Sequence, residues 1–408
     1  MPQSQPRRLL PLIVAITATG VLTFTLITPT LPDLADALGV SRGAIGLVQG
    51  AAAVPGVFLA MYIGYLADLK GRRFVAVWSL LLFGLAGVAG FFATSFWGLV
   101  ATRAIQGIGA SAILSLGVMV IGDVFVDPHE RRRALGLNGA GLTLTGVFSP
   151  MLGGFLATGG VFRPFLVFAV ALPVAWWAGR LPGRADVPLP APPLQHTRAM
   201  FGALREGRRL IDFLGLLPFT TVMMTVYIGV GFTATPIFLE EVFDVESFGR
   251  GLIQAFLALG SSTASLLSAR LARRFGAARM LTRSFLLVVL GFAIMAASPN
   301  TAVVAMGLLV AGAGVGTTFP LLSDFVTSSV PAAYRGSAVG TWLASLRLGQ
   351  AIGPIVGSSL AAGIGGRPVY WLAAGSFAVF TLAWLPLRAA TKGWLGPPPD
   401  EIPEPLVR

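Results

Sequence analysis

Long apolar runs alternate with short polar segments along the chain, and charge, proline or glycine ends each run. The runs have roughly the length that an α-helix needs to cross about 30 Å of hydrocarbon. They lie at 9–31, 43–67, 74–94, 97–122, 134–157, 161–179, 211–235, 249–271, 280–298, 301–325, 336–362 and 368–389. This pattern predicts an all-α membrane protein with twelve transmembrane helices.

The composition supports a membrane protein. Of the 408 residues, 55% are hydrophobic and 11% are charged, and the mean hydropathy is +0.80. A water-soluble fold of this size would not tolerate such a surface. The chain has no cysteine, and its two histidines are expected in loops. We therefore expect no metal and no cofactor.

The cations are distributed unevenly between the loops. Most of the 29 lysine and arginine residues fall in the N-terminus and in alternate loops, on one side of the predicted spans. The opposite side is expected to carry Arg42, Arg163, Arg250 and Arg367. The positive-inside rule then predicts a multi-pass protein of the bacterial inner membrane with both termini in the cytoplasm. The net charge of +12 is explained in this way, and no nucleic-acid partner is expected.

The chain divides into two similar halves. A proline-rich polar segment separates two groups of six spans, and sliding the sequence by about 205 residues aligns Gln49 with Gln254 and Gly71 with Gly276. We expect two pseudo-symmetric six-helix bundles, 1–179 and 211–390, with a cytoplasmic linker at 180–210 and a tail at 391–408. Parallel repeats of this kind occur in transporters whose halves rock about a central site.

Small residues recur every four positions in spans 2, 5, 8 and 11. Such stripes let two helices approach closely in lipid, so we expect them to form the seam between the bundles. Proline and glycine would soften the seam helices at Pro150, Gly153, Gly154, Gly353, Pro354 and Gly357. General helix packing is the alternative interpretation.

Two motifs point to a family. In "GYLADLKGRR", which follows span 2, Gly64, Asp68, Gly71, Arg72 and Arg73 resemble the signature loop of the major facilitator superfamily. The segment "RAIQGIGA" in span 4 is similar to a second motif of that family. The resemblance covers essentially the whole chain and implies the family's twelve-helix fold and alternating-access transport. It departs at Leu69, where the family usually has a basic residue.

The signature loop predicts a cytoplasmic latch. Asp68 would lie near the N-terminus of span 11, where the helix dipole favours an anion by about 0.3–1 kcal/mol. Arg72 and Arg73 would pair with a carboxylate such as Asp123. The predicted latch consists of Gly64, Asp68, Gly71, Arg72, Arg73 and Asp123. Solvated positive-inside charge is the alternative for the arginines.

Two arginines are predicted inside spans, where a cation is costly and is usually kept for a partner. Arg103 is expected at the depth of Asp33, which makes this pair a candidate for proton coupling. A structural tie from Arg103 to backbone carbonyls of span 1 is the alternative. Arg347, with Gln350, could meet an anionic or carbonyl-bearing substrate, or it could cap a free carbonyl of a neighbouring helix.

The resemblance implies a substrate cavity lined by the first and fourth helices of each half. The candidate lining residues are Phe24, Gln106, Met223, Met224, Tyr227 and Phe319, together with Arg347 and Gln350. Aromatic rings and flexible methionines in an apolar wall suit small amphipathic molecules. No span holds paired carboxylates, a histidine pair or an activated nucleophile at suitable spacing, so an enzyme is not expected.

Span 5 partly matches the motif of the family's antiporters. We therefore expect a monomeric transporter that exports small amphipathic or drug-like compounds in exchange for protons. Two alternatives remain open at this point. The first is import or facilitated diffusion of a small organic anion, and the second is a receptor or scaffold with the same fold that does not transport.

Overall fold

The computed structural model describes residues 4–125, 127–181, 183, 193–206, 210–331 and 334–390, and within these ranges the regular structure is entirely helical. The first half contains α1 (Ser4–Thr25), α2 (Leu31–Ala37), α3 (Gly46–Gly50), α4 (Val54–Lys70), α5 (Arg72–Ala89), α6 (Phe96–Val124), α7 (Pro128–Ala157) and α8 (Ala171–Ala178). A 3₁₀ turn at Thr28–Thr30 joins α1 to α2, and a 3₁₀ segment at Arg163–Val170 leads into α8.

The second half follows a helix in the predicted linker. These elements are α9 (Pro193–Glu206), α10 (Leu210–Val226), α11 (Thr235–Phe243), α12 (Ser247–Phe275), α13 (Ala277–Ala296), α14 (Thr301–Ser328), α15 (Arg335–Ile364) and α16 (Gly366–Ala390). A π-helix at Tyr227–Ala234 connects α10 to α11. Both histidines lie in helices, His129 in α7 and His196 in α9, and the prediction that they lie in loops is wrong. The predicted tail at 391–408 lies outside the described residues.

The described helices have the lengths that a membrane requires. Eight of them are long and apolar enough to cross a bilayer, or nine if the bent pair Gly46–Leu59 and Tyr62–Lys70 forms one span. The predicted all-α membrane fold is confirmed, whereas the exact count of twelve stays a prediction.

The first helix of each half is broken at corresponding places, and a glutamine supports each break. The Gln49 side-chain amide donates to the Phe24 carbonyl at 3.1 Å. The Gln254 amide donates to the Phe232 carbonyl at 2.8 Å. Backbone groups freed inside a membrane need such partners because no water reaches them. Gln49 and Gln254, which the sequence repeat aligns, therefore have the same structural role in the two halves.

The small-residue stripes of spans 5, 8 and 11 place their glycines against helices of their own bundle. A Cβ placed on Gly153 of α7 would lie 1.7 Å from the Leu26 carbonyl oxygen, beside the end of α1. Gly353 and Gly357 of α15 lie against Gly229 in the same way, and the Gly229 carbonyl would be 2.0 Å from a Cβ on Gly357. The prediction that these three stripes form the seam is wrong, whereas Gly56 of the span 2 stripe does lie against Arg347 of the other bundle. Close approach in lipid is used here to join helices of one bundle.

Candidate functional site between the two bundles

The four helices expected at the seam do meet there, and Pro150, Gly154 and Pro354 of the predicted seam residues face it. Helix α7 packs against α12, and α3 and α4 pack against α15. A Cβ on Gly154 would lie 2.2 Å from the Ser247 carbonyl oxygen, and a Cβ on Gly251 would lie 2.3 Å from that of Pro150. Gly154 and Pro150 therefore belong to the seam, whereas Gly153, the neighbour of Gly154, does not.

The second pair of seam helices also meets backbone to backbone. A Cβ on Gly46 would lie 2.1 Å from the Pro354 carbonyl oxygen, and one on Gly50 would lie 2.5 Å from that of Ala351. These distances exclude any side chain at Gly46 and Gly50 while the two helices touch. Pro354 thus faces the seam, although the glycines on either side of it in the predicted set face their own bundle.

The contact between the bundles ends part of the way along the molecule. The Arg347 side chain lies against Gly56, 3.1 Å from the position of a Cβ there. Further along, a Cβ on Gly64, Gly136 or Gly336 would have no described neighbour within 4 Å. The closest described contacts between the bundles therefore lie toward one end of the molecule, which we call the Arg42 end, and we call the opposite end the Gly71 end.

Ionic contacts hold the Arg42 end together. The Arg250 Nη2 atom of α12 lies 2.7 Å and 2.5 Å from the two carboxylate oxygens of Asp33 in α2. The Ser247 hydroxyl donates to Asp33 at 2.6 Å. Arg42, in the loop before α3, contacts Asp36 at 2.6 Å and reaches Glu240 of the second half at 3.0 Å. We call this set the gate cluster, with members Asp33, Asp36, Arg42, Glu240, Ser247 and Arg250.

The predicted pair between Arg103 and Asp33 is absent. The Arg103 guanidinium donates to the Thr23 and Val48 carbonyls and to the Gln106 side chain, all inside the first bundle. The prediction failed because span 1 continues past residue 31 to the end of α2. Asp33 therefore lies about 15 Å beyond Thr23 along the chain axis, at about 1.5 Å per residue. The alternative interpretation, a tie from Arg103 to backbone carbonyls, is the observed arrangement.

Arg250 is the functional candidate that the sequence analysis missed. The sequence analysis counted it among the cations of the opposite side, at the edge of span 8, whereas α12 begins at Ser247 and places Arg250 in its buried first turn. Its side chain is only 1% exposed. The signal available in the sequence was its position four residues before Gln254, because residues four apart share one face of a helix.

At the Gly71 end, part of the predicted latch is present within the first half. Arg72 contacts Asp68 at 2.7 Å and Asp123 at 3.0 Å. Gly71 has φ of 90°, which favours glycine, and the turn it makes separates α4 from α5. No described ion pair joins Asp68 to a helix of the second half. The Arg73 side chain faces a separate cavity beside α8 and not Asp123.

The closed part of the seam ends in an apolar layer with one cation beside it. Phe24, Ala53 and Ala351 form a small buried cluster, with Val57 packed against it. Arg347, next to this layer, is half-buried and donates to Gln350 at 3.0 Å. In the described part of the chain, no carboxylate lies within ion-pair distance of Arg347. The floor of the cleft thus combines apolar surface with a cation that lacks an acidic partner.

The other predicted cavity residues are placed unequally. Gln106 is fully buried within the first bundle and does not line the cleft in this conformation. Met223 and Met224 are also buried, and Met224 packs against Gly349 of α15. Tyr227 is partly buried at the start of the π-helix. Phe319 is 40% exposed, and its ring centroid lies 5.0 Å from that of Trp342.

The chain is similar to several curated transporters. It is 27% identical to the cephamycin export protein CmcT of Amycolatopsis lactamdurans over 88% of this chain and 76% of the relative. It is 25% identical to the bacillibactin exporter of Bacillus subtilis over 82% of this chain and 85% of that protein. The multidrug resistance protein MdtG of Proteus mirabilis is 26% identical over 90% of this chain and 92% of the relative.

Solved structures of transporters share the fold. The human organic anion transporter MFSD10 has a TM-score of 0.68 and 22% identity, covering 94% of this chain and all of that one. The nucleoside transporter NupG has a TM-score of 0.73 and 15% identity over 95% of this chain and 99% of that chain. The model of the Major Facilitator Superfamily matches residues 13–340 and 245–407. With this match over most of its length, the chain is a member of the Major Facilitator Superfamily, a multi-pass membrane transporter family.

Proposed function

We propose that this protein exports small amphipathic organic compounds by alternating access and uses the proton gradient as its driving force. One observation carries the proposal: the backbone-to-backbone contacts between the bundles lie at the Arg42 end. A rigid-body tilt about the apolar layer would close one end and open the other.

The distribution of charge supports an orientation. The Gly71 end carries the arginine-rich segments, among them Arg131 to Arg133 and Arg273 with Arg274. The positive-inside rule assigns this end to the cytoplasm. The described conformation is then open to the cytoplasm, ready to receive a substrate from the cell. In the opposite conformation Asp68 would reach the N-terminus of α15 and complete the predicted latch.

The floor of the cleft supports a substrate with an apolar body and an anionic or carbonyl group. Phe24 and Val57 offer apolar contacts, while Arg347 and Gln350 offer hydrogen-bond donors. Three relatives of the chain are a cephamycin export protein, a bacillibactin exporter and a multidrug resistance protein. These names support export of organic compounds by this chain.

A second candidate function is import or facilitated diffusion of a small organic anion. The observation that favours it is Arg347, which lacks a described acidic partner at the floor of the cleft. A structural neighbour is titled a human organic anion transporter. The two candidates differ in the direction of net flux and not in the site.

The gate cluster is where protons would act. Protonation of Asp33 would remove the charge that holds Arg250, and Ser247 and Glu240 are the other gate-cluster groups that face this pair. The Arg42 end would then lose an attraction across the seam. Low pH on that side therefore favours opening toward it, which would assist release of an exported compound.

Purified protein in proteoliposomes tests the proposal. We expect an imposed pH gradient, acidic on the side of the Arg42 end, to drive organic dyes or acids toward that side. Asp33→Asn should abolish the dependence on the gradient while exchange of substrate continues. Asp36→Asn is the matched control, because Asp36 contacts Arg42 and not Arg250.

The outcomes separate the candidates. Net movement toward the Gly71 end would favour import of an anion. Absence of gradient-dependent flux across a broad panel of compounds would favour a receptor or scaffold and would contradict proton-driven export. Unchanged coupling in Asp33→Asn would eliminate Asp33 as the proton-responsive group.

A further inference from the structure

A cavity lies on the outer surface of the first bundle, away from the seam. It has a volume of about 730 Å³ and lies between the first turns of α5 and the end of α8, at the Gly71 end. Its charged lining consists of Lys70, Arg73 and Arg180. This volume lies within the range of about 300–1,000 Å³ typical of small-molecule sites.

The charge of the cavity is of one sign. All three cations are exposed, and no carboxylate is among the described residues that line the cavity. The nearby carboxylates of Asp68 and Asp123 are already engaged by Arg72. The described lining of the cavity is therefore positively charged, which favours an anionic ligand.

Aromatic rings place the cavity at the depth of lipid headgroups. Phe74, Trp78 and Trp176 line it, and the two tryptophans are 59% and 73% exposed. The Arg180 guanidinium lies 4.3 Å from the centre of the Trp176 ring. Exposed tryptophan at the end of a spanning helix is typical of the interface between water and hydrocarbon. A free anion would make no use of these rings, whereas the glycerol backbone and first methylene groups of a lipid would.

We propose that this cavity binds the headgroup of an acidic phospholipid from the leaflet at the Gly71 end. The phosphate would lie among Lys70, Arg73 and Arg180, and the acyl chains would run along the exposed faces of α5 and α8. Basic pockets between spanning helices bind anionic headgroups in this way. The proposal rests on the membrane location of the chain and does not depend on the direction of transport or on the substrate.

Native mass spectrometry of the protein in a neutral detergent tests the proposal. We expect the wild-type chain to retain one phosphatidylglycerol in preference to phosphatidylcholine. The double variant Lys70→Gln with Arg180→Gln should bind it about tenfold more weakly or worse, because each cation near an anionic surface contributes roughly a factor of five. Phosphatidylglycerol should also raise the thermal midpoint of the wild-type chain more than that of the variant.

The matched control is Arg279→Gln with Arg283→Gln. These exposed cations lie at the start of α13, the repeat counterpart of α5, and outside the lining of this cavity. Equal loss of lipid in the control would show unspecific surface charge and would overturn the proposal. Equal stabilisation by phosphatidylcholine, glycerol 3-phosphate or inorganic phosphate would overturn it as well, since a lipid site requires the anionic headgroup and the chains together.

Discussion

The Nη2 atom of Arg250 contacts both carboxylate oxygens of Asp33 across the seam, at 2.5 and 2.7 Å, near the Arg42 end of the molecule. Arg250 is almost completely buried, whereas the Asp33 side chain is 34% exposed. The two residues belong to different halves, so the contact exists only while the Arg42 end is closed. Loss of one partner of a buried ion pair leaves an uncompensated charge, which is strongly unfavourable. This pair is therefore well suited to control the opening of the Arg42 end.

A cross-link should trap the closed end. A Cβ on Gly43 would lie 3.5 Å from the Ser359 Cα, close enough for the two positions to form a disulfide after Gly43→Cys and Ser359→Cys. The chain has no cysteine of its own, so no background is expected. We expect oxidation to stop transport and a reductant to restore it. Each single variant is the control, and full transport in the oxidised double variant would contradict alternating access.

The same cross-link reports on the gate cluster. Asp33→Asn should lower the initial rate of disulfide formation between positions 43 and 359, because the attraction to Arg250 is lost. With Asp33 present, acidification should lower this rate by more than the loss of thiolate alone explains. The response of Asp33→Asn to acid measures that loss of thiolate. Asp36→Asn should leave a clear response to acid. An identical response in wild type and Asp33→Asn would refute the role assigned to the pair.

Two adjacent glycines should respond differently to alanine. Gly153→Ala forces a Cβ against the Leu26 carbonyl inside one bundle, and overpacking of this kind costs about 1–3 kcal/mol. We expect Gly153→Ala to lower the thermal midpoint of the protein, because opening the Arg42 end does not relieve this clash. Gly154→Ala forces a Cβ against Ser247 across the seam, and the chain can relieve this by opening the Arg42 end. It should slow the 43–359 cross-link with a smaller loss of stability. Equal effects of the two variants would contradict the assignment of these faces.

The two repeat-related glutamines offer a similar comparison. Gln49→Ala and Gln254→Ala should each lower stability by about 1–3 kcal/mol, since each leaves buried backbone acceptors unpaired. Gln49 also accepts a hydrogen bond at 2.8 Å from Thr233 of the other half. Only Gln49→Ala should therefore slow the cross-link as well. Thermal unfolding and cross-linking rates measure the two effects separately.

Arg347 should matter for anionic substrates. Arg347→Gln keeps a polar side chain but removes the charge at the floor of the cleft. We expect the apparent affinity for organic anions to fall by about tenfold or more, which corresponds to about 1.4 kcal/mol, with a small change for neutral compounds. Arg335→Gln, an exposed position in the same helix, is the control. A uniform loss for charged and neutral compounds would indicate a structural role for Arg347.

Sequence reasoning anticipated features that depend on local order. The apolar runs predicted the spans, and the match of Gln49 with Gln254 predicted a repeat. The structure adds that each of these glutamines supports a broken helix. The pairing of Arg72 with Asp123 was also anticipated, because both residues end helices at the same side of one bundle. These inferences succeeded because the length of each helix and the alternating direction of successive spans determine which helix ends lie on the same side of the membrane.

The sequence by itself determined a two-fold repeated, helical membrane protein and the end at which each charged loop lies. Only the tertiary structure decided that Arg250 pairs with Asp33, that Gly154 and not Gly153 faces the other bundle, and that the bundles touch backbone to backbone at the Arg42 end. The physical reason is that adjacent residues of a helix point about 100° apart, so a stripe of small residues does not say which neighbour it meets. Two helix packings of similar energy then differ only in contacts between residues that are far apart in the sequence. The local pattern of apolar and small residues does not predict such contacts.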